Sequence, residues 1–95
     1  MSIPQFERGD TRQFTWQSCV VPDAAPLFSI ANDQGTGIFS ATAGQSSTLT
    51  FYTFFTMPLS VGLYRYQWRA EKTIGSSVYP FIDRGLFKVE ETKVG

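Results

Sequence analysis

The segment Leu63-Tyr64-Arg65-Tyr66-Gln67-Trp68-Arg69-Ala70-Glu71 alternates with a period of two. Tyr64, Tyr66, Trp68 and Ala70 fall on one face, and Arg65, Gln67, Arg69 and Glu71 on the other. Successive side chains of a strand point to opposite faces, so this spacing predicts a strand with one buried and one wet side, as antiparallel sheets commonly have. A helix needs an apolar stripe of 3.6-residue period sustained over about ten residues, and no segment of the chain supplies one. Thr11–Cys19 alternates less cleanly: Phe14 and Trp16 share a face with Arg12 and Ser18, opposite Gln13, Thr15 and Gln17. Leu86–Glu91 sets Phe87 and Val89 opposite Lys88 and Glu90.

Turn signals punctuate the chain at short intervals, the habit of sandwiches and barrels. Gly9-Asp10 separates Ile3–Arg8 from Thr11–Cys19, and Pro22-Asp23-Ala24-Ala25-Pro26 argues against helix there. Asn32-Asp33-Gln34-Gly35 reads as a hairpin turn between Leu27–Ala31 and Gly37–Thr42. Ala43-Gly44-Gln45-Ser46 reads as a loop, Met57 to Gly62 as a wide corner, and Gly75-Ser76-Ser77 as the close of a last hairpin. Between these lie about seven candidate strands. In the middle one, Leu49, Phe51, Thr53 and Phe55 face one way while Thr50, Tyr52 and Phe54 face the other, so both faces carry rings. The outer face needs a cover, from a neighbouring loop or from a partner.

A chain of 95 residues has room for one domain, here spanning 1–95, with one modest core. Nine Phe, four Tyr and two Trp are present, so rings carry much of the apolar burial at about 150–250 Å² each. Eight basic and eight acidic side chains cancel. A neutral domain lacks the clustered cations that nucleic acid or an anionic membrane surface requires. Cys19 is the only cysteine, which precludes an intramolecular disulfide and fits folding in a reducing cytosol. With no His to activate it, Cys19 reads as a small core or strand residue. Met1 to Gln5 lacks the make-up of a secretory signal, and no apolar run approaches the ~20 residues of a membrane-spanning helix.

Catalysis is poorly supplied. The absence of His rules out Ser-His-Asp and Cys-His arrangements, and a zinc site lacks ligands. The eight acids fall mainly in turns and at exposed alternate positions, a poor start for a paired-carboxylate hydrolase. Asp23 and Asp33 lack the spacing of a calcium loop, and Gly35-Thr36-Gly37 lacks the Lys-Ser/Thr of a phosphate loop. Arg8-Gly9-Asp10 spells an integrin-recognition tripeptide, but Gly-Asp is also simply turn chemistry. No catalytic residue, cofactor or metal is therefore expected. What remains is binding through aromatic surface. Phe39, Tyr52, Phe54 and Tyr79 are the rings least securely assigned to the core, and they are the candidates for a protein interface.

Ser60-Val61-Gly62-Leu63-Tyr64-Arg65-Tyr66 resembles the tyrosine corner of immunoglobulin-type domains, with Ser60, Gly62, Tyr64 and Tyr66 at the motif's alternate positions. The resemblance implies a structural corner at Gly62 and Tyr64, with the Tyr64 hydroxyl bonded to nearby backbone. Tyr66 stands where antibody domains carry Cys. From about residue 6 to 92 the chain also resembles immunoglobulin-like domains of tailed-phage virion proteins. The matching features are Arg8-Gly9-Asp10-Thr11 leading to Phe14 and Trp16, the strand at Phe28-Ser29-Ile30, Met57-Pro58 before Gly62, and a last strand Gly85 to Glu90. This implies an all-β, antiparallel immunoglobulin-like sandwich of about seven strands, serving as a structural part of a capsid, tail or baseplate. Its partners would be other virion proteins and copies of itself, and it would reach the virion after folding in the host cytoplasm. The alternative is a carbohydrate- or receptor-binding module.

Overall fold

The computed structural model describes residues 3–91. Eight strands form two sheets: β1 (Gln5–Glu7), β2 (Thr11–Gln17), β3 (Leu27–Asn32), β4 (Gly37–Thr42), β5 (Gly44–Gln45), β6 (Thr50–Thr56), β7 (Gly62–Ile74) and β8 (Ser77–Glu90). One sheet has the order β1-β8-β7-β3-β4 and the other β2-β6-β5. The fold is an all-β sandwich, with the core between the two sheets.

The alternation of β7 explains its place at the centre. Tyr64, Trp68 and Ala70 are buried, while Arg65 and Arg69 between them are exposed. Trp68 stacks on Trp16 of the facing sheet at 5.9 Å and lies 4.4 Å from Phe28, so it ties both sheets together. Phe14 performs the same task one layer on, with Phe28, Phe87 and Phe55 within 6.4 Å of its ring centre. Aromatic pairs at such separations add to plain area burial. At the corner, the Tyr64 hydroxyl donates to the Ser60 carbonyl (2.6 Å), and its ring stacks on Phe87 at 5.5 Å. Tyr66 crosses directly over Gly85, its opposite number on β8, leaving no space there for a Cβ.

Four features depart from the sequence expectation. First, there are eight strands, because Gly44–Gln45 is a short strand paired with Tyr52 and Phe51 rather than a loop. The hydroxyl end of the Tyr52 ring lies against Gly44, where a Cβ would come within 2.7 Å of it, and a close approach of this kind is available only to glycine. Second, β1 runs parallel to β8, with Phe6 opposite Val89. The chain leaves β1 through the Glu7–Asp10 turn and crosses to the other sheet, so no hairpin reverses its direction. Third, Cys19 is exposed and lies beyond the end of β2. The buried residue there is Ser18, whose hydroxyl donates to the Val20 carbonyl (2.7 Å). Ser18 continues the inward face of Phe14 and Trp16, which puts Cys19 outward.

The fourth departure is the largest. β7 continues to Ile74, and β8 begins at Ser77 instead of near Gly85. β3 pairs with β7 only as far as Arg69, and β1 reaches β8 only at Lys88. Residues 70–81 therefore form a two-stranded arm beyond the sandwich, which contributes to principal extents of 54 × 28 × 26 Å. At its tip Ile74 and Ser77 pair across Gly75-Ser76. Gly75 has φ 64° and Ser76 does not have positive φ, the pattern of a type II′ turn, which matches strand twist.

Candidate functional site

The arm is built from residues whose hydrophobicity faces outward. From Thr73 to Ile82 there is no charged side chain. Ile74, Val78 and Tyr79 are 60%, 55% and 48% exposed, and Ile82 is exposed as well. Scattered single apolar residues on a surface are ordinary, but here four share one projecting element, Ile74 and Tyr79 on one face of the hairpin and Val78 and Ile82 on the other.

A side-chain clamp holds the base of the arm. Asp23, in the loop between β2 and β3, donates its N–H to the Glu71 carbonyl (2.9 Å). Its carboxylate accepts from the Thr73 amide (2.8 Å) and the Thr73 hydroxyl (2.7 Å). Lys72 lies 3.9 Å from the same carboxylate. The Thr73 hydroxyl bond is the main reason that the Asp23 pKa is held below its ordinary value, with the Thr73 amide and Lys72 acting in the same direction. Asp23 thus satisfies part of the open edge of β7 where β3 has ended. The arm is an anchored element, with only its tip and its β8 side left open.

A second surface is the outer face of the three-stranded sheet. Thr11, Gln13, Thr15 and Gln17 of β2 lie opposite Thr56, Phe54, Tyr52 and Thr50 of β6, so this face carries no charge. Phe54 is 59% exposed and meets Tyr52 edge to face at 5.9 Å. A third region is a trough of about 610 Å³ on the outer face of the five-stranded sheet, lined by Ala31, Leu63, Arg65, Gln67, Arg84 and Leu86. Arg84 Nε donates to Gln67 Oε1 (3.0 Å) there.

The four aromatic candidates do not converge. Tyr52 and Phe54 adjoin each other, Tyr79 stands on the arm, and Phe39 packs at the core margin against Phe55 (4.9 Å) and Phe28 (6.4 Å). Ile74, Val78 and Ile82 are not among those candidates, since nothing in their spacing sets them apart. The signal available for them is the uncharged, β-branched run Thr73 to Ile82, which has no polar alternation. Burial raises the pKa of Tyr64 and of Tyr66, with smaller contributions from the negative charges of Asp33 and Asp83 respectively. Among the described residues no three His, Cys, Asp or Glu side chains gather in a group able to hold a metal. These surfaces are equipped for contact, through main-chain edge, rings and aliphatic side chains. No known protein family, curated protein or solved structure matches this chain.

Proposed function

We propose that this protein is a non-catalytic assembly component that docks onto another protein subunit through its β7–β8 arm. The observation carrying this reading is the arm itself: an anchored hairpin, projecting from the sandwich, with an uncharged apolar tip. An element that leaves Ile74, Val78 and Tyr79 largely exposed is explained by burial elsewhere.

An immunoglobulin-like identity for the sandwich has two supports. In that family one sheet carries strands B, E and D and the other G, F and C, with C′ added in variable-type domains. Assigning β2, β6 and β5 to the first set and β8, β7, β3 and β4 to the second reproduces that order. The bond from Tyr64 to the Ser60 carbonyl is the second support. The likeness to tailed-phage virion domains adds that the subunit belongs to a capsid, tail or baseplate and that the partners are virion proteins.

The test is incorporation. In cells producing the particle, tagged wild-type protein should co-sediment with particles, and the pair Ile74→Ser, Tyr79→Ser should not. Both proteins should share one melting midpoint, since these side chains are exposed. Free wild-type protein at the top of the gradient would overturn the reading.

The outer face of the three-stranded sheet favours a second reading, a neutral-glycan binder. Rings stack on sugar faces, and Gln13, Thr15 and Gln17 offer hydrogen-bonding groups beside Tyr52 and Phe54. A glycan array distinguishes the two: hits abolished by Phe54→Ala support this reading, and an array without hits eliminates it.

A further inference from the structure

The longest open sheet edge in the described residues is the side of β8 facing away from β7. It runs from Ser77 to Leu86, because β1 occupies that side at Lys88, Val89 and Glu90, and Pro4, just before β1, lies beside Phe87 with its carbonyl on the Lys88 N–H. Two observed bonds show which residues point there. The Lys88 N–H donates to the Pro4 carbonyl (2.9 Å), and the Glu90 carbonyl accepts from the Arg8 N–H (2.9 Å). Backbone groups alternate sides along a strand, so Val78, Pro80, Ile82, Arg84 and Leu86 also present theirs to this edge. On the outer face of the sheet the same five positions display an aliphatic series, Val78, Ile82 and Leu86, all three exposed.

We infer that the occupant of this edge is the same edge of a second copy, added antiparallel about a two-fold axis through Ile82. The inference rests on the assembly reading above and names one partner for the arm. Three properties single out this register. It spans the opening, since Val78 then faces Leu86 of the second copy and Leu86 faces its Val78. It pairs like with like on the outer face: Ile82 meets Ile82, and each Val78 meets a Leu86. It places no like charges opposite each other, because Asp83 faces Phe81 and Arg84 faces Pro80 across the axis. Cross-strand aliphatic pairs of this kind stabilise sheets, whereas opposed like charges destabilise them. An interface in which one patch meets itself is the usual form of a two-fold dimer. Strand addition supplies the affinity through main-chain bonds. Pro80 lacks an N–H, so it removes one bond on each side, and every other edge-facing amide and carbonyl of Val78, Ile82 and Leu86 finds a partner. The two sandwiches lie at opposite ends of the paired arms, and their five-stranded sheets become one continuous sheet.

Sedimentation velocity over a concentration series tests this directly. Wild-type protein should show a reversible monomer–dimer equilibrium. Ile82→Lys sets two cations face to face and should weaken dimerisation at least tenfold, while Ile82→Val should leave it nearly unchanged. Ile82 is exposed, so circular dichroism and the melting midpoint of monomeric Ile82→Lys should match wild type. The register has its own readout in a Cys19→Ser background. Ile82→Cys should form a disulfide-linked dimer on mild oxidation, since directly opposed hydrogen-bonded residues lie about 5.5 Å apart at Cα, within disulfide reach. Arg65→Cys, exposed on β7 and away from the clamp, should not. Wild type that stays monomeric at its highest soluble concentration, or a dimer indifferent to Ile82→Lys, would overturn the inference. If particle incorporation still needs Ile74 and Tyr79 in that case, the assembly reading survives and only the identity of the partner falls.

Discussion

Gly85→Ala offers the sharpest check on how the core margin is built. Gly85 lies directly opposite Tyr66 on the adjoining strand, and a Cβ there would sit inside the Tyr66 ring at Cζ and Oη. The Gly85 backbone is not in the positive-φ region, so the whole penalty comes from the ring. To admit a methyl group, Tyr66 must swing outward from Phe14 (5.7 Å), Phe28 (6.3 Å) and Phe87 (6.5 Å). Each such pair contributes about 0.5–1.5 kcal/mol, so losing most of them costs roughly 1–3 kcal/mol, the range also seen for overpacked cores. Against this, alanine recovers about 0.5–1 kcal/mol of backbone entropy that glycine loses in a strand. The single substitution should therefore destabilise by about 1–2 kcal/mol. In a Tyr66→Ala background the obstacle is gone, and the same change should stabilise by about 0.5–1 kcal/mol. Urea denaturation of wild type, both single variants and the double variant closes the cycle, with m-values checked for constancy. The expected coupling is about 1.5–3 kcal/mol, with a change of sign. An equal cost for Gly85→Ala in both backgrounds would refute the argument and move the strain to the backbone.

Three further outcomes follow from the same geometry. Trp68→Ala removes the side chain that bridges Trp16 and Phe28 and should cost about 3–5 kcal/mol by denaturant titration, a large share of the stability of so small a domain. Tyr64→Phe deletes the bond to the Ser60 carbonyl and should cost about 1 kcal/mol, since exposed Ser60 can turn to water. Because folding raises the Tyr64 pKa through burial, the neutral phenol is the folded form. Stability is then full below pH ~10 and falls as pH rises through the raised value, a loss that Tyr64→Phe should lessen in melts on the alkaline side. Asp23 has the opposite sign. Its carboxylate is favoured by the Thr73 bonds, so its contribution is present above the ordinary Asp pKa and disappears as pH falls through the lower folded value. Asp23→Asn should flatten that acid limb and speed exchange of the Thr73 amide. An unchanged exchange rate would show that the clamp does not hold the arm.

The contrast between β7 and its own continuation shows what a sequence can reveal about such a fold. Tyr64 to Ala70 alternate because one face meets Phe28, Phe87 and Trp16 while the other meets water, and that pattern is burial written in residue types. Beyond Ala70 the strand continues with the same backbone geometry, but its side chains are no longer buried, so the alternation stops although the strand does not. β5 escapes notice for a different reason: two residues are too few to show a period, and what stabilises them is Tyr52 lying against Gly44. Cys19 misleads by residue type, since small apolar residues usually go inside, whereas the strand's parity puts Ser18 there instead. The interface candidates share this limit. Phe39 and Phe54 are both rings on strands, and only the packing of Phe39 against Phe55 separates a core-margin ring from an outward one. Period-two patterning thus reports the surfaces a chain buries within itself. A surface intended for a partner has both faces free to be apolar, and its signature is a run rich in β-branched and aromatic residues, free of charge and without alternation. Thr73 to Ile82 fits that description, and the closing turn at Gly75-Ser76 sets the run as a hairpin and not as an unstructured loop.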